Sequence, residues 1–177
     1  MTVQPFDKSS PQYIAEAAQL LADCFPHAYG DCAHEEVREM LQDGKLAFMA
    51  TENGHLLGLV GAMPLYGRTG WELHPLAVRR EFRGKGIGRA LVAALEEAAA
   101  QKGCITMFLG TDDEFGQTSL SNTDLYTDTF EKIKSIRNLH RHPFGFYQKI
   151  GYKIVGVIPD ANGIGKPDIW MAKRIGR

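Results

Sequence analysis

The sequence predicts an α/β fold in which strands and helices surround one core. A short apolar strand, a basic glycine-rich turn and an amphipathic helix follow one another between Trp71 and Lys102. A β-like segment at residues 104–109 comes next, and a strand–helix–strand unit favours parallel pairing with a right-handed crossover. Earlier in the chain, Asn53-Gly54 lies between two apolar segments, which is typical of a β-hairpin.

Length and composition predict one globular domain spanning residues 1–177. The 177 residues are 44% hydrophobic and 23% charged, which is ordinary for a soluble protein. The net charge of −1 argues against nonspecific nucleic-acid binding. We expect no membrane association and a cytoplasmic location, because no apolar segment has membrane-spanning length, no signal-peptide pattern is visible, and the number of cysteines is odd.

Residues that begin or end helices divide the first half of the chain. Ser10 as N-cap and Pro11 at the first helical position begin a helix that Pro26 ends. Asp31 is the predicted cap of a second helix. Strands are predicted within residues 1–8 and at 46–51 and 56–63.

The second half contains similar signals. Gly103 suits the position just after the central helix, Pro143 the first turn of a later helix, and Gly151 the end of that helix. The predicted elements are a strand at 71–78, a helix from Ile87, a strand at 104–109, a helix at 126–139 and strands at 152–158 and 168–173.

Pro75 lies inside the predicted 71–78 strand. Proline cannot donate a ladder hydrogen bond, so we expect a bulge or local splaying there. Such an irregularity would free main-chain N–H groups, such as those of Leu76 and Val78, to bind an extended ligand.

The turn before the central helix has the features of a phosphate site. Gly84, Gly86 and Gly88 directly precede or begin the helix, where unpaired N–H groups bind anions. A Walker A loop would need Ser or Thr after Lys85, and a dinucleotide fingerprint would need glycine where Arg89 stands. We expect mobile positive charge around the turn from five residues: Arg79, Arg80, Arg83, Lys85 and Arg89.

An acidic segment contrasts with this basic turn. Residues 110–131 contain six acidic side chains and no Lys or Arg. Such a segment is either a solvated face or a surface that concentrates a cationic amine.

One segment contains cysteine and histidine residues that are candidate zinc ligands. The spacing of Cys24, His27, Cys32 and His34 is irregular, and the tight Cys-x-His pair suits tetrahedral zinc poorly. The sequence therefore predicts no metal.

Longer segments resemble one known family. Arg83-x-x-Gly86-x-Gly88 resembles the acetyl-CoA pyrophosphate loop of the GNAT N-acetyltransferases. Nearly the whole chain resembles the aminoglycoside 6′-N-acetyltransferases of that superfamily. The segments that carry this resemblance are WELHPLAV, GTDDEFGQTSLSNTDLY, HPFGFYQKIGYKIVGVIPDANG and KPDIWMAKRI. The resemblance implies a GNAT fold with a mixed, V-shaped sheet flanked by helices, acetyl-CoA as co-substrate, and a homodimer.

The resemblance also implies a set of site residues. The acetyl-CoA contacts would be the backbone of Leu76, Ala77 and Val78, the turn residues Arg83, Gly84, Lys85, Gly86, Ile87, Gly88 and Arg89, and the Tyr147 hydroxyl. The amine substrate would contact Phe25, Tyr66, Glu72 and Asp112.

Four residues are the catalytic candidates. An amine attacks a thioester only when neutral, so Glu72 is the candidate base, with His74 on the same strand face able to assist. The Leu76 N–H is the candidate oxyanion donor. Tyr147 is the candidate acid for the leaving thiolate, since its ordinary pKa of about 10 makes it weak but usable.

One departure from the family pattern leaves the acceptor open. Antibiotic-modifying relatives are expected to have tryptophan, proline and acidic residues where this chain has Phe25-Pro26-His27-Ala28. A polyamine, a small basic protein or a peptide N-terminus would also suit the acidic segment. A noncatalytic acyl-CoA-binding module is the alternative from another class.

Overall fold

The computed structural model describes residues 1–176. The chain divides into two compact units, one of Met1–Met107 with the C-terminal residues from Ile175, the other of Phe108–Arg174. The prediction of a single domain over residues 1–177 stays a prediction.

The first unit alternates strands with helices. Its elements are β1 (Thr2–Pro5), α1 (Pro11–Cys24), α2 (Pro26–Tyr29), α3 (Ala33–Met40), β2 (Leu46–Glu52), β3 (His55–Tyr66), β4 (Gly70–Val78), a 3₁₀ turn (Arg80–Phe82) and α4 (Ile87–Gln101). The four strands lie in chain order, and each is antiparallel to the next. β5 (Thr106–Asp112) begins in this unit and continues into the second.

The predicted hairpin is confirmed between β2 and β3. Glu52 pairs with His55, and the two residues between them, Asn53 and Gly54, have φ angles of 51° and 79°. Positive φ at both central residues is what a two-residue type I′ turn requires, and asparagine and glycine tolerate it best.

The predicted start of α1 is confirmed, whereas that of α3 is wrong. The Ser10 hydroxyl accepts a hydrogen bond from the Tyr13 N–H at 3.3 Å, with Pro11 as the first helical residue. Cys32, and not Asp31, occupies the N-cap of α3, where no side chain caps the helix. The sequence did not predict α2, which begins at Pro26.

The core of the first unit lies between these helices and the sheet. Apolar residues of α1, α3, β2 and β3 are fully or almost fully buried there, among them Leu20, Leu21, Val37, Met49 and Leu59. Burial of this kind is the main stabilising contribution to the fold and fixes the register of β3 and β4.

The second unit contains the rest of β5, α5 (Thr129–Lys134), α6 (Phe144–Lys149), β6 (Lys153–Ile158) and β7 (Asp168–Arg174). β7 lies between β5 and β6 in the strand order and pairs antiparallel with β6. The helix predicted at 126–139 is wrong in extent, because α5 has only six residues.

No helix within residues 1–176 combines the length and apolar character that crossing a membrane requires.

Candidate active site

β4 carries the candidate base and its neighbours. Burial alternates along the strand, with Trp71, Leu73 and Ala77 buried and Glu72 and His74 half-buried. Glu72 and His74 therefore share one face of the strand, as the sequence predicted.

Pro75 produces the predicted irregularity. Val60 of β3 pairs with Leu76, and Ala62 pairs with Leu73, so β4 contains one more residue than β3 between these pairs. This extra residue is a β-bulge at His74 and Pro75. The roles predicted for the backbone of Leu76, Ala77 and Val78 stay predictions.

His74 is held by residues that the sequence analysis did not identify. Its Nε2 atom lies 2.7 Å from the Tyr29 hydroxyl and 3.5 Å from Oε1 of Glu36. The imidazole also makes an edge contact with the Tyr29 ring, with centroids 6.2 Å apart. No spacing in the sequence could have indicated this cluster, because its members come from α2, α3 and β4.

The glycine-rich turn has the geometry of an anion site. Gly84 and Gly86 have φ angles of 78° and 85°, and no atom would lie within 4 Å of a Cβ added at either position. Gly86 is the N-cap of α4, and no side chain caps that helix. The first N–H groups of α4, from Ile87 on, therefore fit a diphosphate approaching the backbone.

Five basic residues were predicted to supply mobile positive charge, but two of them are held by contacts within the protein. Arg79 donates from Nε to the Leu56 carbonyl at 2.5 Å and lies 3.5 Å from a Glu16 carboxylate oxygen. Arg83 donates from Nε to the Val78 carbonyl at 3.0 Å and from Nη2 to the Cys24 sulfur at 3.2 Å.

Of the other three, Lys85 lies over the Phe82 ring, 4.8 Å from its centroid, and Arg80 and Arg89 are exposed.

Two of the predicted substrate contacts in the first unit, Phe25 and Tyr66, are aromatic. Phe25 is half-buried, and its ring meets Tyr29 edge-on with centroids 5.6 Å apart. Tyr66 ends β3 and is 69% exposed. Their roles in substrate binding stay predictions.

Tyr147 lies on α6 in the second unit. It is only 9% exposed, and its ring makes an edge contact with Tyr152, with centroids 5.6 Å apart. Burial raises the pKa of Tyr147 well above its ordinary value. The hydroxyl is therefore a weaker acid than the sequence analysis assumed.

The acidic segment is not uniformly a solvated face. Asp112 is exposed and accepts a hydrogen bond from the Asn162 side chain, but Asp113 is fully buried. Asp113 accepts from the N–H groups of Gln117 and Thr118 at 2.6 and 2.7 Å and from the Ser121 hydroxyl at 2.6 Å. Burial raises the pKa of Asp113, but these hydrogen bonds outweigh it and hold the pKa below its ordinary value.

His142 joins β5 to α6, another contact that sequence reasoning missed. Its Nε2 lies 3.0 Å from the Asp112 carbonyl, and its Nδ1 accepts from the Phe144 N–H at 3.2 Å. These partners require a neutral imidazole with the proton on Nε2. The position of His142 directly before Pro143 was the one signal in the sequence that could have found it.

Among residues 1–176, no group of three or more His, Cys, Asp or Glu side chains is arranged to hold a metal ion.

The comparison with protein families identifies the chain. The model of the acetyltransferase (GNAT) family matches residues 14–126. This chain belongs to the GNAT family. The predicted GNAT fold, a mixed sheet flanked by helices, is thereby confirmed.

Solved structures with high identity to this GNAT protein cover almost all of it. An aminoglycoside 6′-N-acetyltransferase crystallised in complex with coenzyme A is 50% identical, with 99% of this chain and 97% of that chain covered and a TM-score of 0.97. The aminoglycoside 6′-N-acetyltransferase from Enterococcus faecium is also 50% identical, with the same coverage and a TM-score of 0.95. The predicted resemblance to this enzyme group is confirmed.

A curated relative is more distant from this GNAT protein. N-acetyltransferase 8B of Rattus norvegicus is 31% identical over 102 residues, which are 45% of this chain. The chain spans 46% of the length of that relative.

Proposed function

We propose that this protein is an acetyl-CoA-dependent N-acetyltransferase that moves the acetyl group directly to a primary amine, the 6′-amine of an aminoglycoside. The observation that carries the proposal is 50% identity, across 99% of the chain, to an aminoglycoside 6′-N-acetyltransferase that binds coenzyme A. The same proposal includes a homodimer, a cytoplasmic location and a role in antibiotic resistance.

The turn before α4 is the proposed diphosphate site. Acetyl-CoA supplies the acetyl group as a reactive thioester. The left-handed Gly84 and Gly86 and the uncapped N-terminus of α4 suit its diphosphate. The backbone of residues 76–78 is the proposed partner of its extended arm. Arg83 makes two hydrogen bonds within the protein, so Lys85 and Arg89 are the better placed sources of mobile charge.

Four residues have proposed acid–base or hydrogen-bonding roles. Glu72 accepts the proton of the attacking amine, directly or through a water, while His74 assists. The Leu76 N–H donates to the carbonyl oxygen as negative charge develops on it. Tyr147 donates a hydrogen bond to the leaving sulfur. Because burial disfavours a tyrosinate, complete proton transfer from Tyr147 is less favourable than from an ordinary tyrosine.

A polyamine is the second candidate acceptor. Phe25-Pro26-His27-Ala28 lacks the acidic residues expected of antibiotic-modifying relatives, whereas the acidic segment at residues 110–131 suits any cationic amine. The deciding experiment measures coenzyme A release with kanamycin-type aminoglycosides, polyamines and basic peptides side by side. A higher kcat/KM for aminoglycosides supports the proposal, and a higher value for polyamines or peptides reassigns the acceptor. Coenzyme A binding without release on any amine would show a noncatalytic module.

A further inference from the structure

Residues from two helices meet at one nitrogen of a candidate catalytic histidine. The hydroxyl of Tyr29, the last residue of α2, lies 2.7 Å from Nε2 of His74. Oε1 of Glu36, in the middle of α3, lies 3.5 Å from the same atom. The first distance is that of a good hydrogen bond, and the second permits an ion pair when the imidazole is protonated.

The contact lies beside the candidate base. A small cleft is lined by Glu36, Met63 and His74, with four further residues. Met63 is the cross-strand partner of Glu72, and directly paired residues project from the same face of a sheet. The cleft therefore opens on the strand face that carries Glu72.

Tyr29 also contacts the candidate substrate residue Phe25. The two rings meet edge-on at 81°, with centroids 5.6 Å apart, an arrangement that aromatic pairs favour. One tyrosine therefore touches both Phe25 and His74.

We propose that Tyr29 and Glu36 are positioning residues that fix the orientation of the His74 imidazole beside Glu72, and that Tyr29 couples this orientation to Phe25. The proposal rests on the proposed function. A phenol hydroxyl can donate to a bare Nε2 or accept from its N–H, so Tyr29 holds the ring in either state. The Glu36 carboxylate adds attraction only when Nε2 carries a proton.

The kinetic test uses conservative substitutions. We expect Tyr29→Phe to lower kcat/KM for the amine by about three- to tenfold, the change expected from one hydrogen bond, with KM for acetyl-CoA unchanged. Glu36→Gln should give a smaller fall of the same kind. Tyr13→Phe, in α1, and Glu35→Gln, on the exposed side of α3, are matched controls that should leave both constants unchanged.

A double-mutant cycle separates positioning from general packing. In a His74→Asn background, the effect of Tyr29→Phe should shrink to less than about twofold, because the residue it acts through is gone. The proposal would be overturned if Tyr29→Phe lowered kcat/KM equally with and without His74→Asn, or if it lowered the affinity for acetyl-CoA as much as it lowered kcat/KM. Wild-type kinetics in Tyr29→Phe would also overturn it.

A spectroscopic measurement keeps the proposal testable even without turnover. Imidazole ¹⁵N resonances of the whole protein are recorded, and His74 is assigned by its loss in His74→Asn. Tyr29→Phe should shift the Nε2 resonance of His74, whereas Tyr13→Phe should not. An unshifted resonance contradicts the positioning role. If wild-type protein acetylates no amine but the resonance does shift, the proposed function fails while the contact stands.

Discussion

Glu72 is the residue whose chemistry the proposed reaction needs most. It is half-buried on β4, and the amine must lose a proton to it directly or through one water. We expect Glu72→Gln to lower kcat by roughly 10²- to 10⁴-fold, the usual contribution of a general base. Calorimetry should show unchanged acetyl-CoA affinity. Glu97→Gln, on an exposed position of α4, is the control. Unchanged turnover would remove Glu72 from the mechanism.

Tyr147 is distinguished from an ordinary acid by its burial. Its raised pKa keeps the hydroxyl protonated at and above pH 10, the ordinary value for tyrosine. We expect Tyr147→Phe to reduce kcat by about ten- to one-hundredfold, through a lost hydrogen bond and proton donor. The alkaline side of the pH–rate profile should have the same shape in both proteins. A limb near pH 10 present only in the wild type would contradict the raised pKa.

For single residues, the sequence predicted which face of a strand a side chain occupies better than it predicted which residues that side chain contacts. Glu72 and His74 share a face because strand periodicity places them there, which needs only the chain itself. His74, Arg83 and His142 each have at least one partner from an element distant in sequence. No local pattern encodes such contacts, so only the folded structure shows them.

The turn leading into α4 depends on backbone conformation. Gly86 has a φ angle of 85°, so alanine there costs about 1 kcal/mol or somewhat more from the left-handed conformation alone. Gly103, just after the same helix, has a φ of 89° and equally open surroundings. We expect Gly86→Ala and Gly103→Ala to lower the free energy of unfolding by similar amounts.

Only the first substitution should weaken acetyl-CoA binding, because its Cβ would stand where the diphosphate approaches. Denaturant titration measures the stability of both variants, and calorimetry measures their affinity for acetyl-CoA. Equal affinities would place the diphosphate elsewhere.

The junction of β5 and α6 should respond to pH through His142. Burial lowers the pKa of His142, and the Asp112 carbonyl with the nearby Asp113 and Asp112 carboxylates offsets this only in part. The unfolded chain therefore binds more protons than the folded one below about pH 6.5. The stabilising contribution of neutral His142 is complete above about pH 6.5. It is lost as the pH falls toward the lowered pKa of His142 in the folded state.

Denaturation of the wild type between pH 7 and 5 should show this loss. His142→Asn should be less stable throughout but should have a flatter pH slope, while the exposed His140→Asn should keep the wild-type slope. Parallel slopes for wild type and His142→Asn would contradict the assignment.

Helix α5 shows where element prediction fails. The pattern predicted a helix over residues 126–139, yet α5 ends at Lys134. Beyond it the chain bonds to residues 117–119: the Arg137 N–H donates to the Ser119 hydroxyl, and the Leu139 N–H donates to the Gln117 carbonyl. These tertiary partners override local helix propensity. The hairpin at Asn53-Gly54 succeeded because its turn chemistry is entirely local.

Charge is nearly balanced over the whole molecule, with 20 basic and 21 acidic residues. Any attraction of cationic amines therefore depends on local fields and not on net charge. The burial of Asp113 removes one carboxylate from the acidic surface that the sequence predicted. Asp112 is exposed and stays the candidate for steering an amine.

Binding of the co-substrate should be visible in the stability of the whole chain. A ligand present at about one hundred times its Kd stabilises the folded state by about 2.7 kcal/mol. For a chain of 177 residues, each kcal/mol raises Tm by about 2–4 °C, so acetyl-CoA should raise Tm by roughly 5–11 °C. ATP at the same concentration is the control, because the sequence matches neither the Walker A loop nor the dinucleotide fingerprint. An equal rise with ATP would favour a nucleotide site, and no rise with acetyl-CoA would contradict both the enzyme and the acyl-CoA-binding module. A rise with acetyl-CoA alone is expected for either, and turnover on an amine then separates them.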